Sequence, residues 1–193
     1  MSVRKFRIAA LAVLTAVVLP VATPAVAAPA RTAAASGRGA PDYRTWQADV
    51  KEAVAPAVPW LRGRSAERGG KQAIVLDIDN TALETYYHPG QADKPVLEVA
   101  EWAHRHHMAV LFVTARTSSS SARQELQDAG YPVDAICTRE HGESKEEGKA
   151  RCRKELTRDG YVITANIGNR STDFIGGYYE KGFKLPDYDG RLS

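Results

Sequence analysis

Cysteine is scarce in this chain: two in 193 residues, Cys137 and Cys152. No further Cys and no suitably spaced His completes a thiolate metal site around them. Surplus charge is scarce as well. The chain carries 26 Lys+Arg and 23 Asp+Glu, for a net +3, and three of the basic residues are Arg4, Lys5 and Arg7. With those three set aside the remaining charges balance, which leaves no electrostatic footprint for a nucleic-acid polymer. The apolar run from Ile8 to Leu19 is too short to span a bilayer comfortably.

These first residues read as a leader. A basic start, an apolar stretch, Pro20 and the small-x-small run Ala25-Val26-Ala27 make a secretory signal peptide over residues 1–27, cleaved near Ala27. Ala28-Pro29-Ala30 is a second cleavage candidate, and no Cys nearby supports a lipid anchor. The expectation is a secreted, extracellular protein with no membrane attachment after cleavage. Residues 28–41, made of Ala, Gly, Ser, Arg and Pro with one Thr, read as a disordered linker. Residues 42–193 then form one domain with a single core.

Within that domain, apolar strands alternate with helical patterns. Asp42–Leu61 has helical spacing at Trp46, Val50, Ala53, Val54 and Val58, with Asp42 as cap, and Pro56 and Pro59 should break its second half. Arg62–Lys71 reads as a loop, and Ala73–Leu76 as a strand buried on both faces. Asp93–His107 is the next helix, with Asp93 placed as its cap and Pro95 in its first turn. His104, His106 and His107 at its end suit a helix C-terminus better than a ligand pair. A strand over Ala109–Val113 follows, then a helix from Ser118–Ser121 through Leu126, ended by Gly130. Pro132–Thr138 is a third strand. Ser144 and Glu147 form a capping box for a lysine- and arginine-rich helix, and Val162–Ile167 is a fourth strand. The tail from Gly176 onward looks irregular. The class is α/β with a mostly parallel sheet.

Three strands end in polar groups suited to one task. The first ends in Asp77-Ile78-Asp79-Asn80-Thr81, the second in Thr114-Ala115-Arg116, and the fourth in Gly168-Asn169-Arg170-Ser171-Thr172-Asp173. Ligands of open parallel sheets bind at the carboxyl ends of strands. Carboxylates alone repel a phosphate; a divalent cation and a lysine from the helix before the last strand reverse that field. The loop Tyr86-Tyr87-His88-Pro89-Gly90 leaves the same end, either as a small lid or as a surface turn with tyrosines packed inward. In an exported protein the two cysteines pair by default, tying the third strand to the lysine-bearing helix.

From Ala73 to Pro186 the sequence resembles the haloacid dehalogenase (HAD) superfamily, and within it the secreted acid phosphatases of subfamily IIIB. The resemblance rests on D-x-D-N-T at 77–81, V-L-F-V-T-A-R at 110–116, K-x-x-x-R-x-x-L from Lys149 with Gly160-Tyr161, the 166–173 loop and Phe183-Lys184-Leu185-Pro186. It implies a Rossmann-like core with a minimal cap, since the first and second motifs lie too close for a cap domain. It implies Asp77 as nucleophile and Asp79 as general acid and base. Thr114 and Lys149 would bind phosphate, with Lys145 competing for the lysine role, and Arg116 would touch substrate. Mg²⁺ would sit on Asp77, Asp79, Asn169 and Asp173. Asn169 departs from the Asp usual at that position. The implied function is Mg²⁺-dependent hydrolysis of small phosphate monoesters. The alternatives are a non-catalytic binding or storage protein of the same fold and a phosphatase acting on lipid- or protein-bound phosphate.

Overall fold

The computed structural model describes residues 39–66 and 69–192. The expected leader and the linker up to residue 38 lie outside the described residues. Two helices, α1 (Tyr43–Val54) and α2 (Ala57–Ser65), precede β1 (Lys71–Leu76). Then come α3 (Lys94–Arg105), β2 (Ala109–Thr114), α4 (Ser119–Asp128) and β3 (Ala135–Thr138). The chain ends with α5 (Lys145–Arg158), β4 (Tyr161–Gly168), a 3-10 turn (Ser171–Asp173) and β5 (Lys181–Lys184). The five strands form one parallel sheet in the order β3-β2-β1-β4-β5. Strand order reverses beside β1, between β2 and β4, and that is where the carboxyl ends of a doubly wound sheet open a crevice.

Side-chain alternation divides the core into two layers. Ile74, Leu76, Val110, Phe112, Ala165 and Ile167 face one side, where α1 to α4 bring Trp46, Leu61, Val99 and Leu126. Ala73, Val75, Leu111, Val113 and Ile163 face the other, against Cys152 and Leu156 of α5. A bulge shifts the β1–β4 register between Ala73 and Ile74. It is fastened by Thr164, whose hydroxyl donates to the Ala73 carbonyl at 2.9 Å while its own carbonyl accepts the Trp60 indole N–H at 2.8 Å. Among the described residues no helix is long and apolar enough to cross a membrane.

Two expectations need correction. Pro56 does interrupt the helical stretch read over Asp42–Leu61, since α1 ends at Val54 and α2 starts at Ala57, but the second half is itself helical: Pro56 is the N-cap of α2 and Pro59 lies in its first turn. The first four N–H groups of a helix have no partner within it, so proline costs little there. Asp93 is the N-cap residue of α3, as expected, though its side chain makes no cap bond. Its carboxylate instead accepts from Gln47 of α1 at 3.4 Å. The tail is not irregular throughout, for Lys181–Lys184 adds a fifth strand at the sheet edge with only Phe183 buried.

Cys137 and Cys152 form a disulfide with Cα atoms 5.7 Å apart, joining β3 to α5. The sequence separation is 15. Replacing both cysteines with serine should lower the unfolding free energy by about 3 kcal/mol, measured by denaturant titration.

Asp93 is fully buried, and its Oδ2 has no hydrogen-bond partner among the described residues. Burial pushes its carboxyl up to about 8, with the nearby Glu84 adding and the Gln47 bond opposing. The folded chain therefore holds a proton that the unfolded chain, with a carboxyl near 3.9, releases. Asp93 thus favours folding at low pH, and that advantage is lost as pH rises through the window up to about 8. Asp93→Asn should raise the thermal midpoint by several degrees at pH near 8.5 and by much less at pH near 4, read by calorimetry.

Candidate active site

Asp77 follows β1, Thr114 closes β2 and Asn169 follows β4, so all three stand at the carboxyl end of the sheet. The chain turns directly after Asp77. The Ala82 N–H donates to the Asp77 carbonyl at 3.3 Å, and the Leu83 N–H donates to the Ile78 carbonyl at 2.9 Å. Asn80 adopts a left-handed backbone (φ 53), which asparagine tolerates better than most residues. Its side chain clips two segments over the site. Oδ1 accepts the Tyr86 N–H at 2.7 Å, and Nδ2 donates to the Leu192 carbonyl at 2.6 Å.

Lys149 reaches the same place from α5. Its Nζ donates to Asp77 Oδ1 at 2.9 Å and to Asp173 Oδ1, and all three side chains are buried. Burial pushes the Asp77 carboxyl up to about 7; Asp173's charge adds to this and Lys149 opposes it. Burial works against the Lys149 ammonium too, but the two carboxylates outweigh it and hold the ammonium above its ordinary range. Lys145, in contrast, is exposed at the start of α5 and lines the mouth of the cleft.

The loop that carries Asp173 is held from behind. Arg153 is fully buried, and carbonyl oxygens satisfy it: Gly177 and Asp173 each accept at 2.8 Å, and Ile175 accepts as well. Asn166 Nδ2 also donates to the Asp173 carbonyl at 2.8 Å, and Asp173 Oδ2 accepts the Arg170 N–H at 2.8 Å. Gly168 is required here, because a Cβ would overlap the Asp173 side chain.

Asn169 is 2% exposed, and its Oδ1 has no hydrogen-bond partner among the described residues. An unpaired buried acceptor costs roughly 1–3 kcal/mol. This one lies in a cleft of about 580 Å³ that Asp77, Asp79 and Lys149 also line, so its lone pairs are placed to meet a cation. Among the described residues, no three His, Cys, Asp or Glu side chains gather as a metal cluster. A cation here would therefore rely on amide and backbone oxygens beside the carboxylates, a donor set suited to a hard divalent ion.

Asp79 is paired with a different cation, Arg116. Arg116 donates to both its oxygens, Nη2 to Oδ1 at 2.6 Å and Nε to Oδ2 at 3.0 Å, and Thr85 Oγ1 donates to Oδ1 at 2.9 Å. Burial raises this carboxyl, but the Arg116 bonds more than offset it and hold it below the ordinary value. Thr114 is buried, and its hydroxyl accepts the Arg116 N–H at 3.1 Å. The cleft wall there is formed by Ala115. Of the two loop tyrosines, Tyr86 lines the cleft while Tyr87 stacks on Trp46 at 4.8 Å, so the loop serves both lid and core.

Residues 88–191, just over half of the chain, match the family described as HAD superfamily, subfamily IIIB (acid phosphatase). The chain belongs to this acid phosphatase family. Membership makes it a phosphomonoesterase hydrolase, and the five-stranded parallel sheet flanked by helices suits that superfamily's core. The matched span takes in Thr114, Arg116, Lys149, Asn169 and Asp173 and begins after Asp77 and Asp79. Comparison with curated proteins gave no match.

Four residues at this cleft escaped sequence reasoning. Asn80 stood inside the quoted motif, and its side chain gave no hint of two long-range bonds. Thr85 and Glu125 are ordinary surface types in sequence. Arg170 carried no pattern beyond its loop. Gly168→Ala should push Asp173 off Lys149 and lower kcat/KM on an aryl phosphate by about 100-fold, with circular dichroism unchanged. Full activity in that variant would show that Asp173 need not pack against Gly168.

Proposed function

We propose that this chain is a secreted, Mg²⁺-dependent acid phosphatase that hydrolyses small phosphate monoesters through a phosphoryl group carried on Asp77. The leader would direct export and be removed near Ala27. The carrying observation is that the buried Lys149–Asp77 pair and the partnerless Asn169 Oδ1 share one cleft.

In this reading an Asp77 oxygen attacks phosphorus in line as the bond to the leaving oxygen breaks. Asp79 gives its proton to that oxygen and the alcohol departs. A water then attacks the phosphoryl group and Asp79 takes its proton. The Asp77–phosphorus bond breaks, and inorganic phosphate leaves. The depressed Asp79 carboxyl makes its protonated form scarce at neutral pH, which favours acidic conditions for the first step. Lys149 compensates charge on Asp77 and on the phosphoryl oxygens, and Thr114 with the neighbouring backbone supports the same group.

Asp77, Asp79, Asn169 and Asp173 would hold Mg²⁺, and the ion would neutralise charge between Asp77 and the substrate. Asp173 has Lys149 on one oxygen and the Arg170 N–H on the other, and it would bind the ion directly or through water. Members of the superfamily generally use a divalent metal of this kind.

Hydrolysis of para-nitrophenyl phosphate tests the reading. Activity should require Mg²⁺, be abolished by chelator and be restored by added Mg²⁺. Asp77→Asn should lower it by roughly 1000-fold or more, because the nucleophile is lost. Turnover without a cation, or a fully active Asp77→Asn, would overturn the mechanism.

A further inference from the structure

Arg116 stands at the turn after β2 and commits its guanidinium to two carboxylates on opposite sides. Nε and Nη2 face Asp79, at 3.0 and 2.6 Å, and Nη1 donates to Glu125 Oε2 at 2.5 Å. A guanidinium is planar and its donors form a rigid fork. With a carboxylate at each end, the plane has one orientation. With only Asp79, the long side chain would keep rotamers that turn the fork toward solvent.

Glu125 is itself well anchored. It lies on α4, whose N-cap Ser118 accepts the Ser121 N–H. Ala122 and the adjacent Leu126 are buried in the core on the same helix. A rigid path therefore runs from the core through α4, Glu125 and Arg116 to the Asp79 carboxylate. Both pairs are partly exposed, with side chains 23% and 41% accessible for Arg116 and Asp79 and 35% for Glu125. Ion pairs of that exposure contribute little to folding stability, so stability alone does not account for the arrangement.

The geometry also separates the two Asp79 oxygens. Oδ1 accepts from Arg116 Nη2 and from Thr85, while among the described residues Oδ2 accepts from Arg116 Nε alone as a side-chain donor. A carboxylate has about four lone-pair positions, so Oδ2 keeps more capacity for a transferred proton.

We propose that Glu125 is a positioning residue: it locks Arg116 onto Asp79 and thereby aims the Asp79 oxygen that delivers the proton to the leaving group. The proposal rests on reading Asp79 as the acid of the phosphatase reaction. Glu125 touches neither substrate nor phosphorus and acts through Arg116. The same lock gives a role to Arg116, expected from the sequence to contact substrate, each of whose three guanidinium nitrogens donates to a carboxylate.

Leaving-group dependence isolates this role. An aryl leaving group departs without a proton, whereas an alkyl leaving group needs one. The unaltered chain, Glu125→Gln, Arg116→Gln and the double variant are compared on para-nitrophenyl phosphate and on glycerol phosphate, with thermal midpoints recorded. Glu125→Gln should lower kcat/KM on the alkyl ester by about 10-fold, a fraction of what general acid catalysis supplies, and leave the aryl ester within about 2-fold. In the Arg116→Gln background the same change should cost almost nothing more, because contacting residues couple. Equal losses on both esters, no loss on the alkyl ester, or an undiminished loss in the Arg116→Gln background would overturn the proposal. No turnover of either ester by the unaltered chain would instead remove the phosphatase reading beneath it.

Discussion

A lysine ammonium held inside the protein between two carboxylates is the interaction on which this site depends. Lys149 with Asp77 and Asp173 forms a buried row whose members are each costly to desolvate alone. Such a row is favourable only if its geometry is maintained. Much of the surrounding structure does that work. The β1–β4 pairing fixes Asp77, α5 with its capping box fixes Lys149, and Arg153 with Asn166 pins the loop behind Asp173. The disulfide adds a covalent tie at α5, three residues beyond Lys149, while Gly168 leaves room for the carboxylate to come close.

Arg153 shows how far this investment goes. It is an arginine with no solvent exposure, placed where burial pulls its pKa down, and it spends its donors on three carbonyls of one short loop. Such a residue is poorly suited to filling a core and well suited to fixing a backbone. The loop it fixes holds Gly176, Gly177 and Tyr178, all at positive φ, a path that would not persist without external support.

Much of the sheet was legible from residue pattern alone, because its inner strands are covered on both faces and read as unbroken apolar runs. Ala73–Leu76 and Val110–Val113 announce themselves in that way. Lys181–Lys184 does not: with one buried side chain, an edge strand has no period to detect. Pro56 rightly marked an interruption, but Pro59 gave no break because it falls in the first turn of α2, and position within a helix is invisible to composition. Asp93 was legible as the cap position of α3, but its side-chain partner was not, because tertiary packing brings Gln47 of α1 within reach. At the site, strand-end polar residues were visible since strand ends are local features. The pairing of Arg116 with Asp79 and Glu125 was not, since it joins residues 37 and 9 positions apart with no shared periodicity.

Asn80 has a mechanical consequence. One of its amide atoms grips the aromatic loop at Tyr86 and the other grips the carbonyl of Leu192, 112 residues further along. The rim of the cleft and the end of the described chain are thus yoked through a single planar group. Widening the entrance means either breaking one of those bonds or carrying both segments together. The breathing rate of the mouth is therefore governed partly by how firmly the last residues are seated, far from the chemistry in sequence and next to it in space.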